Sequence, residues 1–137
     1  AIDSSASMGA DDFKPTRLDS AKDTALQFVE QNPISTRFGV ISFGSAARLE
    51  QDVIDNKELV SRAVEDIKVS ASGGTNLYDA VVLGVNILRG YDNKSMIFLS
   101  DGQINIGDLQ EAIDYANDNN LIIHTIAIGT EEGGESA

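Results

Sequence analysis

The 137 residues fit one domain, and an apolar fraction of 42% with 6% aromatics is a globular balance, not a disordered one. Ten Lys and Arg against 22 Asp and Glu give a net charge of −12, which repels phosphate backbones and anionic headgroups and draws cations, so nucleic acid is excluded as a partner class. The absence of cysteine excludes disulfides, thiolate catalysis and Cys-type zinc sites, and no apolar run reaches the roughly 20 residues that insert into and span a bilayer.

Ala1-Ile2 stands directly against polar Asp3-Ser4-Ser5, which reads as the end of a strand whose apolar beginning lies upstream. Arg17 to Glu30 sets Leu18, Ala21, Ala25, Phe28 and Val29 on one helical face, with Pro33 as a stop signal. Phe38 to Phe43 is a β-rich run, and Ala47 to Glu50 reads as a shorter strand after a tight turn, the pair forming a hairpin at a sheet edge. Asn56 is a cap for a helix carrying Leu59, Val60, Ala63, Val64 and Ile67. After the Ser70 to Gly74 loop, Asn76 or Thr75 caps a helix with Leu77, Ala80, Val81, Gly84, Val85 and Leu88 on a broad apolar face, ending near Gly90. Met96 to Leu99 and Leu121 to Ile128 read as strands buried on both faces, separated by a helical stripe of Leu109, Ala112, Ile113 and Ala116. Alternation of this kind predicts a doubly wound α/β fold: a mostly parallel central sheet, helices on both faces and one antiparallel edge strand. Met8 and Met96 are expected in the core, and His124, the single histidine, as a packed or hydrogen-bonded strand residue.

In open α/β sheets ligands bind beyond the carboxyl ends of the strands. Three polar groups fall at such places: Asp3, Ser5 and Ser7 after the first strand, Gly73-Gly74-Thr75 before a helix, and Asp101-Gly102 after a central strand. They supply hard oxygen donors with no histidine or cysteine nearby, a set suited to magnesium, manganese or calcium and not to zinc or copper. Each group also has a plain structural use. Asp and Ser favour turns and caps, Thr75 is a competent helix cap, and paired glycines make turns. No Gly-Lys-Ser/Thr follows Gly73-Gly74, which disfavours a phosphate-cradling loop.

The order and spacing of Asp3-Ser4-Ser5-Ala6-Ser7, Gly73-Gly74-Thr75 and Ser100-Asp101-Gly102 resemble the DxSxS motif and companion loops of von Willebrand factor type A (VWA) domains with a metal-ion-dependent adhesion site (MIDAS). Arg17 and Lys22, the run from Arg37 to Phe43, and His124 to Gly129 share the family's texture, and the likeness covers nearly the whole chain. Ala6 departs from the glycine that many members carry, at a side chain that is not a ligand. The resemblance implies a single VWA domain over residues 1–137, with part of the first strand and a last strand and helix lying outside it. It also implies a metal site in which Ser5 and Ser7 bind the ion directly, Thr75 directly or through water, and Asp3 and Asp101 mainly through water. Magnesium is the implied cofactor, with manganese or calcium as alternatives. The implied partner is a protein that supplies an Asp or Glu carboxylate, with the loops around Ser4, Gly74 and Gly102 as the contact surface. Ser5 and Thr75 are expected on surface loops. An extracellular or cell-surface setting suits such an adhesion module, a cytoplasmic one is the alternative, and the oligomeric state is left open.

Two rival readings belong to other classes. An assembly factor working beside an AAA+ ATPase carries the same kind of domain. A metal-dependent phosphotransfer or hydrolase domain would use Asp3 as a nucleophile, but Ser5 stands where the haloacid dehalogenase pattern needs a second Asp, and no Gly-x-Ser-x-Gly elbow is present. The expectation is a binding module without enzymatic activity.

Overall fold

The computed structural model describes residues 1–9, 16–70, 74–101 and 106–128. The elements run β1 (Ile2–Asp3), a 3-10 turn (Ala6–Gly9), α1 (Arg17–Gln31), β2 (Phe38–Phe43), β3 (Ala47–Ile54), α2 (Lys57–Glu65), α3 (Leu77–Ile87), β4 (Ser95–Ser100), α4 (Ile106–Asp118) and β5 (Ile122–Ala127). One sheet of order β3-β2-β1-β4-β5 joins the five strands, parallel throughout except for the antiparallel β2–β3 hairpin at one edge. The expected doubly wound fold is what the chain adopts.

Local chemistry explains where the helices begin. A reciprocal capping box starts α1, in which the Thr16 hydroxyl accepts from Asp19 N at 3.2 Å and an Asp19 carboxylate oxygen accepts from Thr16 N at 3.4 Å. Asn56 caps α2 by accepting from Leu59 N at 3.1 Å. Of the two cap candidates for α3 it is Asn76 that serves, accepting from Asp79 N at 2.9 Å.

Strand alternation sends side chains into two cores, one on each face of the sheet. On one face Ile2, Val40 and Leu99 meet Leu18, Ala21 and Val29 of α1 and Val60 and Val64 of α2, with Met8 buried among them. On the other, Ile41, Phe43, Met96 and Phe98 meet Leu77, Ala80, Val81 and Val85 of α3 and Ala112 and Ala116 of α4. The rings of Phe43 and Phe98 pack edge to face, 5.4 Å between centroids. Gly84 brings α3 close to β4: a Cβ there would collide with the Met96 sulfur. Both methionines are core residues, as expected.

Three expectations need correction. The strand after the tight turn is longer than Ala47 to Glu50 and runs to Ile54, because register shifts between Phe38 and Ile41 let Gln51 pair with Val40 and Ile54 with Phe38. The last strand is not buried on both faces: Ile122 is 61% and Ile126 38% exposed. Among the described residues it is the edge strand, and α1 lies over β1 and β4 while α2 lies over β2 and β3, so the face carrying Ile122, His124 and Ile126 extends past both helices. For the same reason His124 pairs with Ile97 through the backbone but has an exposed side chain, and it is not packed. No helix among the described residues is long and apolar enough to cross a membrane.

A cavity of about 490 Å³ opens at the amino end of the sheet, where β2 and β4 flank the start of β1; Phe38, Val40, Ile87, Met96 and Leu99 are among its lining. None of the polar residues singled out from the sequence lines it.

Candidate functional site

The chain passes from β1 outward to β2 and β3, then crosses to the other side of β1 for β4 and β5. The strand order therefore reverses between β1 and β4, and a crevice forms at their carboxyl ends. Asp3 closes β1 and Ser100 closes β4, and the Ser100 hydroxyl donates to Asp3 Oδ2 at 2.7 Å across the crevice. The other Asp3 oxygen, Oδ1, accepts from Ser5 N at 2.9 Å. Both carboxylate oxygens are thus engaged, and the side chain is fully buried. A carboxylate held in this way is fixed in place.

The turn that Asp3 organises sets the next two hydroxyls. Met8 N donates to Ser5 O at 2.9 Å, closing the 3-10 turn, and Ser5 Oγ lies 3.2 Å from Ser7 Oγ. The separation permits a test of fit. At the 2.0–2.1 Å distances of magnesium, adjacent octahedral oxygens stand about 2.9 Å apart, and at calcium distances about 3.3–3.7 Å. The observed spacing lies between, so both hydroxyls fit as neighbouring ligands of one hard divalent ion without rearrangement of the turn. Among the described residues no group of three His, Cys, Asp or Glu side chains is arranged to hold a metal.

Neighbouring loops are clasped around this turn by backbone bonds. Ser4 N donates to Phe43 O at 2.8 Å, Ser70 N to Ser4 O at 2.7 Å, and Asn76 N to Gly44 O at 2.6 Å. The last of these fixes the segment holding Gly74 and Thr75 beside the loop that follows β2. Asp79 reinforces the clasp by accepting from Ala47 N at 2.7 Å. Gly74 has φ of +95°, a left-handed conformation that suits glycine, and is exposed; Thr75 is half-buried. Asp101 follows Ser100 directly, its side chain is 1% exposed, and its Oδ2 meets Arg17 Nη1 at 3.4 Å.

Asp3, Ser5 and Ser7 are therefore gathered in one turn, Asp101 adjoins it through the Ser100 bridge, and Thr75 sits on a loop clasped to the same strand ends. Ser5 is 3% exposed, so the expectation of a surface side chain fails for it. Gly73 and Gly102 lie outside the described residues. Sequence reading missed Ser100 as the partner of Asp3, Gly44 and Ser70 as backbone anchors, and Arg17 as the partner of Asp101. Ser100 carried a usable signal, since the ends of two adjacent parallel strands align.

A family model described as von Willebrand factor type A domain matches residues 1–103. The chain belongs to that family. Among curated proteins, this VWA chain is 25% identical over 149 residues to a UPF0353 protein of Nocardia farcinica, covering 96% of the chain but 44% of that relative. Among solved structures it resembles an aerotolerance-related membrane protein from Bacteroides fragilis, with a TM-score of 0.84 at 21% identity, covering 96% of the chain and 66% of the other. It also resembles proximal thread matrix protein 1 from the mussel byssus with a zinc-occupied MIDAS motif, with a TM-score of 0.77 at 24% identity, covering 94% and 34% respectively. The VWA chain thus spans less than two thirds of the length of each of these proteins.

Proposed function

We propose that this VWA domain is a metal-dependent protein-binding module, with Ser5, Ser7 and Thr75 as ligands of a divalent cation and Asp3 and Asp101 as the carboxylates behind them. The observation that carries the reading is the pair of hydroxyls 3.2 Å apart above a buried carboxylate whose two oxygens are already engaged. Magnesium is the first candidate because it keeps waters and needs few carboxylates, with manganese and calcium behind it. The zinc-occupied motif of the mussel byssus protein supports divalent occupancy of such loops. When bound, the ion supplies an incompletely satisfied positive centre that a partner's Asp or Glu carboxylate completes. Ser5 and Ser7 contribute no charge to offset it, and Asp3 is turned toward its own hydrogen bonds, so an incoming carboxylate finds no competitor in the direct ligand set. The exposed Gly74, with the loop at Gly102, would set which partner is accepted; Ser4, expected on that surface, is 5% exposed and is not part of it.

We propose binding and not turnover, because Asp3, the one acidic side chain ending β1, is buried and doubly hydrogen-bonded. The experiment is calorimetry and thermal melting with chelator, magnesium, manganese, calcium and zinc, on the native domain and on Ser5→Ala and Thr75→Ala. Magnesium should bind and stabilise the native domain by about 2.7 kcal/mol at a hundredfold excess over Kd. Either substitution should weaken binding at least tenfold. Metal-loaded domain on a peptide array should then select peptides that lose binding when Asp becomes Asn or Glu becomes Gln. Retention that survives chelator, or phosphate-ester hydrolysis abolished by Asp3→Ala, would overturn the proposal.

A further inference from the structure

We infer that Arg17 is the built-in counter-ion of this site: it steadies Asp101 when no cation is bound and, through its charge, holds down the affinity for the cation. The inference rests on the metal-binding reading above and adds a residue that regulates it.

Arg17 is the first residue of α1, and its Nη1 reaches Asp101 Oδ2 at 3.4 Å across 84 positions of sequence. This pair differs from the other ion pairs of the described residues. Arg62–Glu58 has side chains 64% and 81% exposed, and Arg48 in the Arg48–Glu50 pair is 81% exposed. Pairs in water contribute little. Asp101 is 1% exposed and Arg17 19%, so here the carboxylate has left water and needs a cation near it. Asp3 ends β1 and Asp101 follows the end of β4, and Arg17 brings a positive charge to Asp101.

The same positive charge works against a divalent ion. Removing it has two consequences of opposite sign for metal affinity: repulsion is relieved, and the hold on Asp101 is loosened. Other anchors decide which prevails. Asp101 follows Ser100, which donates to Asp3 at 2.7 Å and accepts from Ile128 N at 2.8 Å, so the strand end stays placed without Arg17. Arg17 lies 3.4 Å from Asp101, and a full charge within about 4–6 Å shifts the equilibrium of a neighbouring charged group by one to three powers of ten. Relief of repulsion therefore dominates, and Arg17 trades metal affinity for a site that remains formed without metal.

The test measures magnesium Kd by calorimetry and Tm in chelator and in saturating magnesium, for the native chain, Arg17→Gln and Arg17→Lys. Arg17→Gln should bind magnesium about tenfold more tightly, melt lower in chelator and gain a larger Tm increment from magnesium. Arg17→Lys should keep Kd within about threefold of the native value. If Arg17→Gln is unfolded in chelator, it should fold when magnesium is added. A role confined to packing would lower Tm equally in both conditions. Equal or weaker magnesium binding by Arg17→Gln, or failure to fold in either condition, overturns the inference while native binding leaves the metal site standing. No magnesium or manganese binding by the native chain removes the metal site itself, and the inference with it.

Discussion

The two ends of this sheet solve different problems. At the amino end, β2 and β4 flank a cavity of about 490 Å³ walled largely by aliphatic and aromatic side chains, a volume within the range of small-molecule pockets. The carboxyl end is built differently: two hydroxyls, a buried carboxylate and a second carboxylate paired with Arg17 stand at the strand ends. An ion a few ångströms across needs converging oxygen donors and no cavity, whereas a cavity without such donors offers an ion nothing. The two ends thus differ in kind, one offering apolar volume and the other oxygen donors.

The sharpest way to break that contrast is to remove the carboxylate on which the crevice is built. Asp3→Ala leaves Ser5 N and the Ser100 hydroxyl without their buried acceptor, and should cost about 3 kcal/mol in urea unfolding with chelator present. On a domain of this size that corresponds to a fall in Tm of roughly 10 °C, accompanied by loss of metal binding in calorimetry. A loss under 1 kcal/mol would mean that the turn is held by its backbone bonds alone.

At the other end, Val40→Ala removes two methyl groups from a side chain that is buried yet borders the cavity, and should cost about 1.5 kcal/mol in the same unfolding measurement. Magnesium affinity should not change. A shift of Kd beyond about threefold would show that the two ends are coupled. The mildest test is Asn76→Ala, which deletes the α3 cap next to Thr75 and should cost about 1 kcal/mol while weakening magnesium binding a few-fold. Unchanged affinity there would separate the cap from the site.

Much of the architecture was legible because its signals are local. The β2 run from Phe38 to Phe43, the Asn56 cap and the two core methionines are each decided by a few neighbouring residues, and the structure has them as expected. The burial of β5 was not legible, because an apolar run looks the same in a central strand and in one that outreaches the helices. Thr75 and Asn76 are both sound caps on paper, and only the bond to Asp79 N separates them. At the candidate site, the turn from Asp3 to Ser7 could be read along the chain. The Ser100 bridge and the Arg17–Asp101 pair join residues 97 and 84 positions apart, and no local pattern encodes them.

The tight approach of α3 to β4 has a consequence in redox chemistry. With no cysteine and two methionines in the chain, its only sulfur atoms are those of Met8 and Met96, 0% and 5% exposed. Met96 has its thioether close against Gly84 and also borders the cavity at the amino end of the sheet, whereas Met8 is not among that cavity's lining. The oxygen of a Met96 sulfoxide thus has the cavity to enter, and the ratio of Met96 to Met8 oxidation by peroxide, read by mass spectrometry, measures how far that cavity admits a small polar oxidant.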